Sequence, residues 1–134
     1  MTIEQLEQYR GISANIEAIQ MQIDHLYVPI ASPNGKTNTG SFSSTPGDPT
    51  GKAVMKIIEL QEDLSQQLQV QVDMLNEINE WMKEVTVSDP EVAALIRYHY
   101  IAGLPWKETA LRAYGYKSGH FRARKRVFRY FGRE

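Results

Sequence analysis

Leu104-Pro-Trp-Lys-Glu-Thr-Ala-Leu-Arg-Ala-Tyr-Gly-Tyr-Lys-Ser-Gly-His-Phe-Arg-Ala-Arg-Lys-Arg-Val-Phe-Arg-Tyr-Phe131 is the stretch on which the fold turns. Pro105 fits the start of a helix, because proline lacks only an N–H that a first turn leaves unpaired anyway. The helix runs through Trp106, Ala110 and Leu111 and ends at Gly115, where glycine accepts the left-handed backbone of a C-terminal cap. After Gly115-Tyr-Lys-Ser118 a second helix carries Phe121, Val127, Phe128 and Phe131. Two short helices joined by a tight glycine-bearing turn have the layout of a helix-turn-helix.

Just upstream, Ser88-Asp-Pro-Glu91 is a helix start, with a capping Ser or Asp, proline at the first turn and an acid facing the positive end of the helix dipole. Val92, Leu95, Ile96, Tyr98 and Ile101 supply an apolar face up to Gly103. Residues 87–134 therefore read as a bundle of three short helices. At about 100 degrees per residue, Phe121, Arg124, Val127, Phe128 and Phe131 share the packing side of the last helix. Ser118, Gly119, Arg122, Arg126 and Arg129 fall opposite.

The charge of the chain divides at the same boundary. Residues 1–86 hold 5 Lys/Arg against 12 Asp/Glu, and residues 87–134 hold 10 against 4. No acid occurs between Glu108 and Glu134. A basic block interleaved with aromatics points to a polyanion, first of all nucleic acid. Arginine forks read guanine edges in the major groove, and residues near the amino end of a recognition helix reach the bases. The expected base-reading set is Arg122, Arg126, Ser118 and His120. Lys107, Arg112, Lys117, Lys125 and Arg129 are expected at phosphates, where contacts position without specifying sequence. Tyr98, Tyr100, Trp106, Tyr114 and Tyr116 are expected in the core and joints rather than as stacking platforms.

The acidic part is expected to be a helical hairpin over residues 1–86. Tyr9, Ile12, Ile16, Ile19, Ile23 and Leu26 alternate by three and four along a first helix, which Thr2 and Gln5 cap as a box and which Gly11 and Ser13 weaken up to about Ala14. From Tyr27 to Gly51, Pro, Gly, Ser and Asn break every pattern, so a flexible connection is expected. Lys52 to Val85 then holds a seven-residue repeat: Val54, Ile57, Leu64, Leu68, Leu75, Ile78, Met82 and Val85 take core slots, and Gln61 and Gln71 fill the other two. Such a rod buries its seam by folding back antiparallel on the first helix and by self-association. A homo-oligomer is expected, with a dimer favoured. The fold class is all-α: an N-terminal antiparallel coiled-coil hairpin followed by a three-helix helix-turn-helix domain.

The sequence also argues against several classes of function. Without cysteine there is no disulfide frame and no thiolate metal site. His25, His99 and His120 lie apart, with no carboxylate or second histidine at ligand spacing. No catalytic triad or phosphate-cradling glycine loop is present. No enzyme activity, metal or cofactor is expected. The amino terminus has no signal-like pattern and no stretch is long and apolar enough to span a bilayer, so the expected location is the cytoplasm of a bacterial host cell.

Asp89-Pro-Glu-Val, Arg97-Tyr-His-Tyr-Ile-Ala-Gly-Leu-Pro-Trp-Lys-Glu-Thr-Ala110 and Gly115-Tyr-Lys-Ser-Gly-His-Phe-Arg122 together resemble the sigma-70 region 4-like domain. The form they resemble most is that of phage and prophage late-gene regulators of the ArpU and RinA kind. The resemblance covers about Ser88 to Phe131. It implies that Trp106 begins the first helix of the motif, that Ala110 packs against the turn, that Phe121 anchors the recognition helix in the core and that Arg122 contacts DNA. It also implies binding of double-stranded promoter DNA and activation of late genes through host RNA polymerase. The chain departs from the family pattern in three places: one extra residue between Ala110 and Gly115, Lys117 where a capping serine is common, and Arg124 in a slot often apolar. Two other readings fit the same architecture. One is a small terminase subunit that recognises phage DNA for packaging; the other is a coiled-coil adaptor that binds an acidic protein and no DNA.

Overall fold

The computed structural model describes residues 1–27 and 51–133, so the expected flexible connection lies, but for its end residues, outside the described residues. Among the described residues all regular structure is helical. Helix α1 spans Ile3–Tyr27, α2 Gly51–Ser88, α3 Pro90–Ile96, α4 Trp106–Tyr114 and α5 His120–Tyr130. A π-turn, Arg97–Ile101, continues α3, and a 3-10 turn, Lys117–Gly119, precedes α5. The chain forms two compact units, one of Met1–Ala14 with Val70–Glu134 and one of Asn15–Gln69.

The ends of the helices follow from local chemistry. Thr2 and Gln5 close the capping box: the Thr2 amide donates to Gln5 Oε1 at 2.8 Å, and the Gln5 amide donates to Thr2 Oγ1 at 3.2 Å. The helix runs unbroken from Ile3. Gly11 and Ser13 therefore do not delay it, since one turn of poor helix formers costs less than the burial of Leu6 and Tyr9 just before it provides. Asp89 alone separates α2 from α3, and its carboxylate caps α3 by accepting from the Val92 amide at 3.2 Å. Gly115 ends α4 at φ 91°, a left-handed conformation that a Cβ would strain.

In the first unit, Leu6 and Tyr9 of α1 and Ile78, Met82 and Val85 of α2 join Val92, Leu95, Ile96, Tyr100, Ala110, Ala123 and Val127 in one core. The Ser13 hydroxyl accepts from the Gln71 amide at 3.0 Å, so α1 and α2 run antiparallel within this unit. Trp81 covers one side, stacked on Phe131 with ring centres 5.6 Å apart. The π-turn changes the expected face of the α3 segment. It adds a residue to the turn, so that Tyr100 is fully buried while Tyr98 is only half-buried. Arg10 answers the carbonyls left open there, donating to His99 O at 3.1 Å and to Gly103 O at 3.3 Å.

In the second unit the buried residues are Ile19 and Ile23 of α1 and Ile57 and Leu60 of α2, flanked by Leu26 and Leu64. This corrects the expected repeat. Leu60 is in the seam and Gln61 is exposed, and Val54 and Leu68 are exposed rather than buried. Leu60 and Gln61 are neighbours on the helix surface, and the seam takes the apolar one because burying an amide without a partner is costly. Gln71, by contrast, is half-buried with Ser13 as its partner.

Candidate nucleic-acid interface

The roll of α5 decides which side chains face outward. Gly119, Ala123 and Val127 are buried, a small-residue line that lets α5 lie close to its neighbours. A Cβ on Gly119 would stand 3.0 Å from both the Tyr114 and the Tyr116 rings, so any side chain there would require the rings to give way. The expected packing side is therefore wrong by roughly a quarter turn. Phe121, expected as the core anchor, is 74% exposed, and Arg124 is exposed beside it, its guanidinium 4.4 Å from the Phe128 ring centre. The physical reason is that close helix approach favours Ala and Gly over larger aromatics, which then lie at the flanks.

Arg126, expected among the base readers, is half-buried and committed to the fold. It donates to Asp89 at 2.6 Å and lies 3.7 Å from Glu91. Glu91 also accepts from the Tyr114 hydroxyl at 2.7 Å. Burial and this hydrogen bond push the Tyr114 phenol up to about 12, so it remains a donor. Asp89, Glu91, Arg126 and Tyr114 thus join α3, α4 and α5 in one polar network.

Arg122 stands on the outer side of that network. Its guanidinium lies 4.2 Å from the Tyr114 ring centre and donates to the Tyr116 hydroxyl at 3.2 Å. The bond to Tyr116 favours the charged form of an already permanent cation. An exposed arginine stacked and bonded in this way keeps less rotamer freedom to lose on binding. The sequence carried a trace of this support in the spacing of Tyr114, Tyr116 and Arg122, but nothing local distinguishes a supporting tyrosine from a core one.

Ser118 is exposed on the 3-10 turn, and His120, half-exposed, bonds through Nδ1 with the Lys117 carbonyl at 3.2 Å. Lys125 and Arg129 are exposed on α5, and Lys107 and Arg112 are exposed on α4. Lys117 is exposed with Glu108 at 3.9 Å. Phe121, Arg122, Arg124, Lys125 and Phe128 line an open groove along the outward side of α5. The structure brings Arg122, Lys125 and Arg129 onto α5 away from the packing line, and it takes Arg126 to the inner edge.

His99 belongs to the support of the motif rather than to its surface. Buried and stacked on Trp106 with ring centres 3.7 Å apart, it donates from Nδ1 to the Leu104 carbonyl at 2.7 Å. Burial pushes its pKa down to about 4. The imidazole is neutral at neutral pH and ties the π-turn to the start of α4. Among the described residues no cluster of His, Asp and Glu has the makings of a metal site, and no helix is long and apolar enough to cross a membrane. Comparison with protein-family models, with curated proteins and with solved structures yields no match.

Proposed function

We propose that this chain is a sequence-specific duplex-DNA-binding regulator of a phage or prophage, activating late genes through host RNA polymerase in the host cytoplasm. The observation that carries the reading is the outward side of α5. Entered through a tight turn from α4, it presents Arg122, Arg124, Lys125 and Arg129 and has no carboxylate along its length. A helix so placed fits the major groove, with its first turns at the base edges. Arg122, braced by Tyr114 and Tyr116, is the reader of guanine. Lys107, Arg112, Lys117, Lys125 and Arg129 meet phosphates, while Ser118 and His120 lie at the entry to the groove. Arg126 acts indirectly, by fixing α5 against Asp89 and Glu91. Self-association as a dimer would cover the exposed apolar residues of α2 such as Met55 and Ile58.

The test is fluorescence anisotropy with duplexes enriched from a pool with a randomised core. Arg122→Ala is expected to lose about 5- to 150-fold in affinity for the enriched site and to relax sequence preference. Lys125→Ala and Arg129→Ala should weaken all duplexes alike and each lower the salt slope by about one. Salt-insensitive or absent duplex binding would sink the reading. Light scattering separates a dimer from the many-membered ring of a small terminase subunit.

A further inference from the structure

Phe121 is the most exposed aromatic side chain described, and its exposure is built in. Gly119, Ala123 and Val127 fix the roll of α5, and on that roll a residue two after Gly119 points away from the core. The ring meets a local partner, His120, at 4.0 Å between ring centres. It stands at the first turn of α5, in the groove it shares with Arg122, Arg124, Lys125 and Phe128.

We propose that Phe121 is a specificity-determining residue that packs against the C5 methyl group of a thymine in the major groove. The inference rests on the duplex-DNA reading above and adds a second base to it. Of the groups that base pairs present in the major groove, the thymine methyl is the apolar one, and it is the match for an outward-facing Phe. The position suits the task, since the amino-terminal residues of a recognition helix reach the base edges. The charge around the ring suits the same occupant. Arg122, Arg124 and Lys125 border it and no acid lines the groove, so a polyanion is attracted and an apolar partner surface lacking negative charge is not. A thymine near the guanine read by Arg122 follows from their adjacency on one turn.

The experiment uses the full chain and a duplex enriched by it from the randomised pool. Each thymine of that duplex is replaced in turn by deoxyuridine, which keeps base pairing and lacks only the methyl group. At one or two positions the wild-type protein is expected to lose about fourfold in affinity, the worth of one buried methyl. Phe121→Ala should bind the thymine duplex as weakly as the wild type binds the uracil one, and should show no further loss on replacement. Phe121→Leu, which keeps an apolar contact, should retain part of the discrimination. Both variants should melt as the wild type does, because the ring is outside the core. Indifference of the wild type to every replacement overturns the assignment, as does Phe121→Ala keeping the same discrimination. Tighter binding of the single strand than of the duplex, with thymine and uracil equal, makes the ring a stacking platform and also overturns it. Failure to enrich any duplex overturns the underlying reading as well and is recognised before the replacements are made.

Discussion

The unit of Met1–Ala14 with Val70–Glu134 and the unit of Asn15–Gln69 both begin from an apolar stripe on α1 and one on α2, yet they bury those stripes to different depths. In the first, α3, α4 and α5 add further layers, and Leu6, Met82, Val85 and Leu95 are wholly removed from solvent. In the second, among the described residues, Ile19, Ile23, Ile57 and Leu60 form a thin seam, while Met21, Met55 and Ile58 remain exposed. Heptad spacing thus provides one contact surface. Whether it becomes a core depends on what covers its flanks.

That contrast is sharpened most by truncating one leucine in each unit. Leu95→Ala should cost about 3 kcal/mol and Leu60→Ala about half as much, because a thin seam relaxes around a vacancy that a layered core retains. Hydrogen exchange, which reads each unit separately, checks this; equal losses would break the comparison. Next in size, Gly119→Ala should cost about 2 kcal/mol, since both tyrosine rings must move aside. It should weaken duplex binding by displacing Tyr116 from Arg122 and leave exchange in Asn15–Gln69 unchanged.

The first unit should also respond to acid through His99. The unfolded chain takes up this proton near the ordinary value of 6.5 and the folded chain only near 4, so the contribution is complete above the upper value. It is lost as pH falls through that interval, on the order of 3 kcal/mol. Urea midpoints across the interval should flatten in His99→Gln relative to the wild type. The smallest effect belongs to the second unit. Met55→Gln with Ile58→Gln should change folding by no more than about 0.5 kcal/mol, both side chains being exposed. If α2 self-associates through them, sedimentation equilibrium will find the double variant monomeric. An unchanged assembly would remove that role.

Features governed by their immediate neighbours were legible in the sequence. The Thr2–Gln5 box, the Asp89-Pro90 start and the Gly115 stop are set by backbone groups within one turn, so reading along the chain finds them. The all-α class and the pairing of α4 with α5 followed from these signals. The roll of α5 was not legible, because Phe121 and Ala123 compete for the core through distances to other helices. The π-turn that exchanges Tyr98 for Tyr100 is likewise maintained from outside, by Arg10 of α1. The apparent lack of acids among the arginines had the same origin: Arg126 finds Asp89 and Glu91, and Arg133 finds Glu4, far away in sequence. Of the candidate site, Arg122 was named from the sequence as an expectation, whereas its tyrosine supports and the outward Phe121 needed the fold.

The pairing of Glu4 with Arg133 at 2.6 Å, like the core that holds Leu6 and Val127 together, also governs when this protein becomes whole. On a ribosome the chain emerges from its amino end, so every residue of Asn15–Gln69 is available early, while the core around Leu6 and Tyr9 is complete only once α5 has been made. Until then the apolar start of α1 has α2 to pack on but lacks the layer that α3, α4 and α5 add.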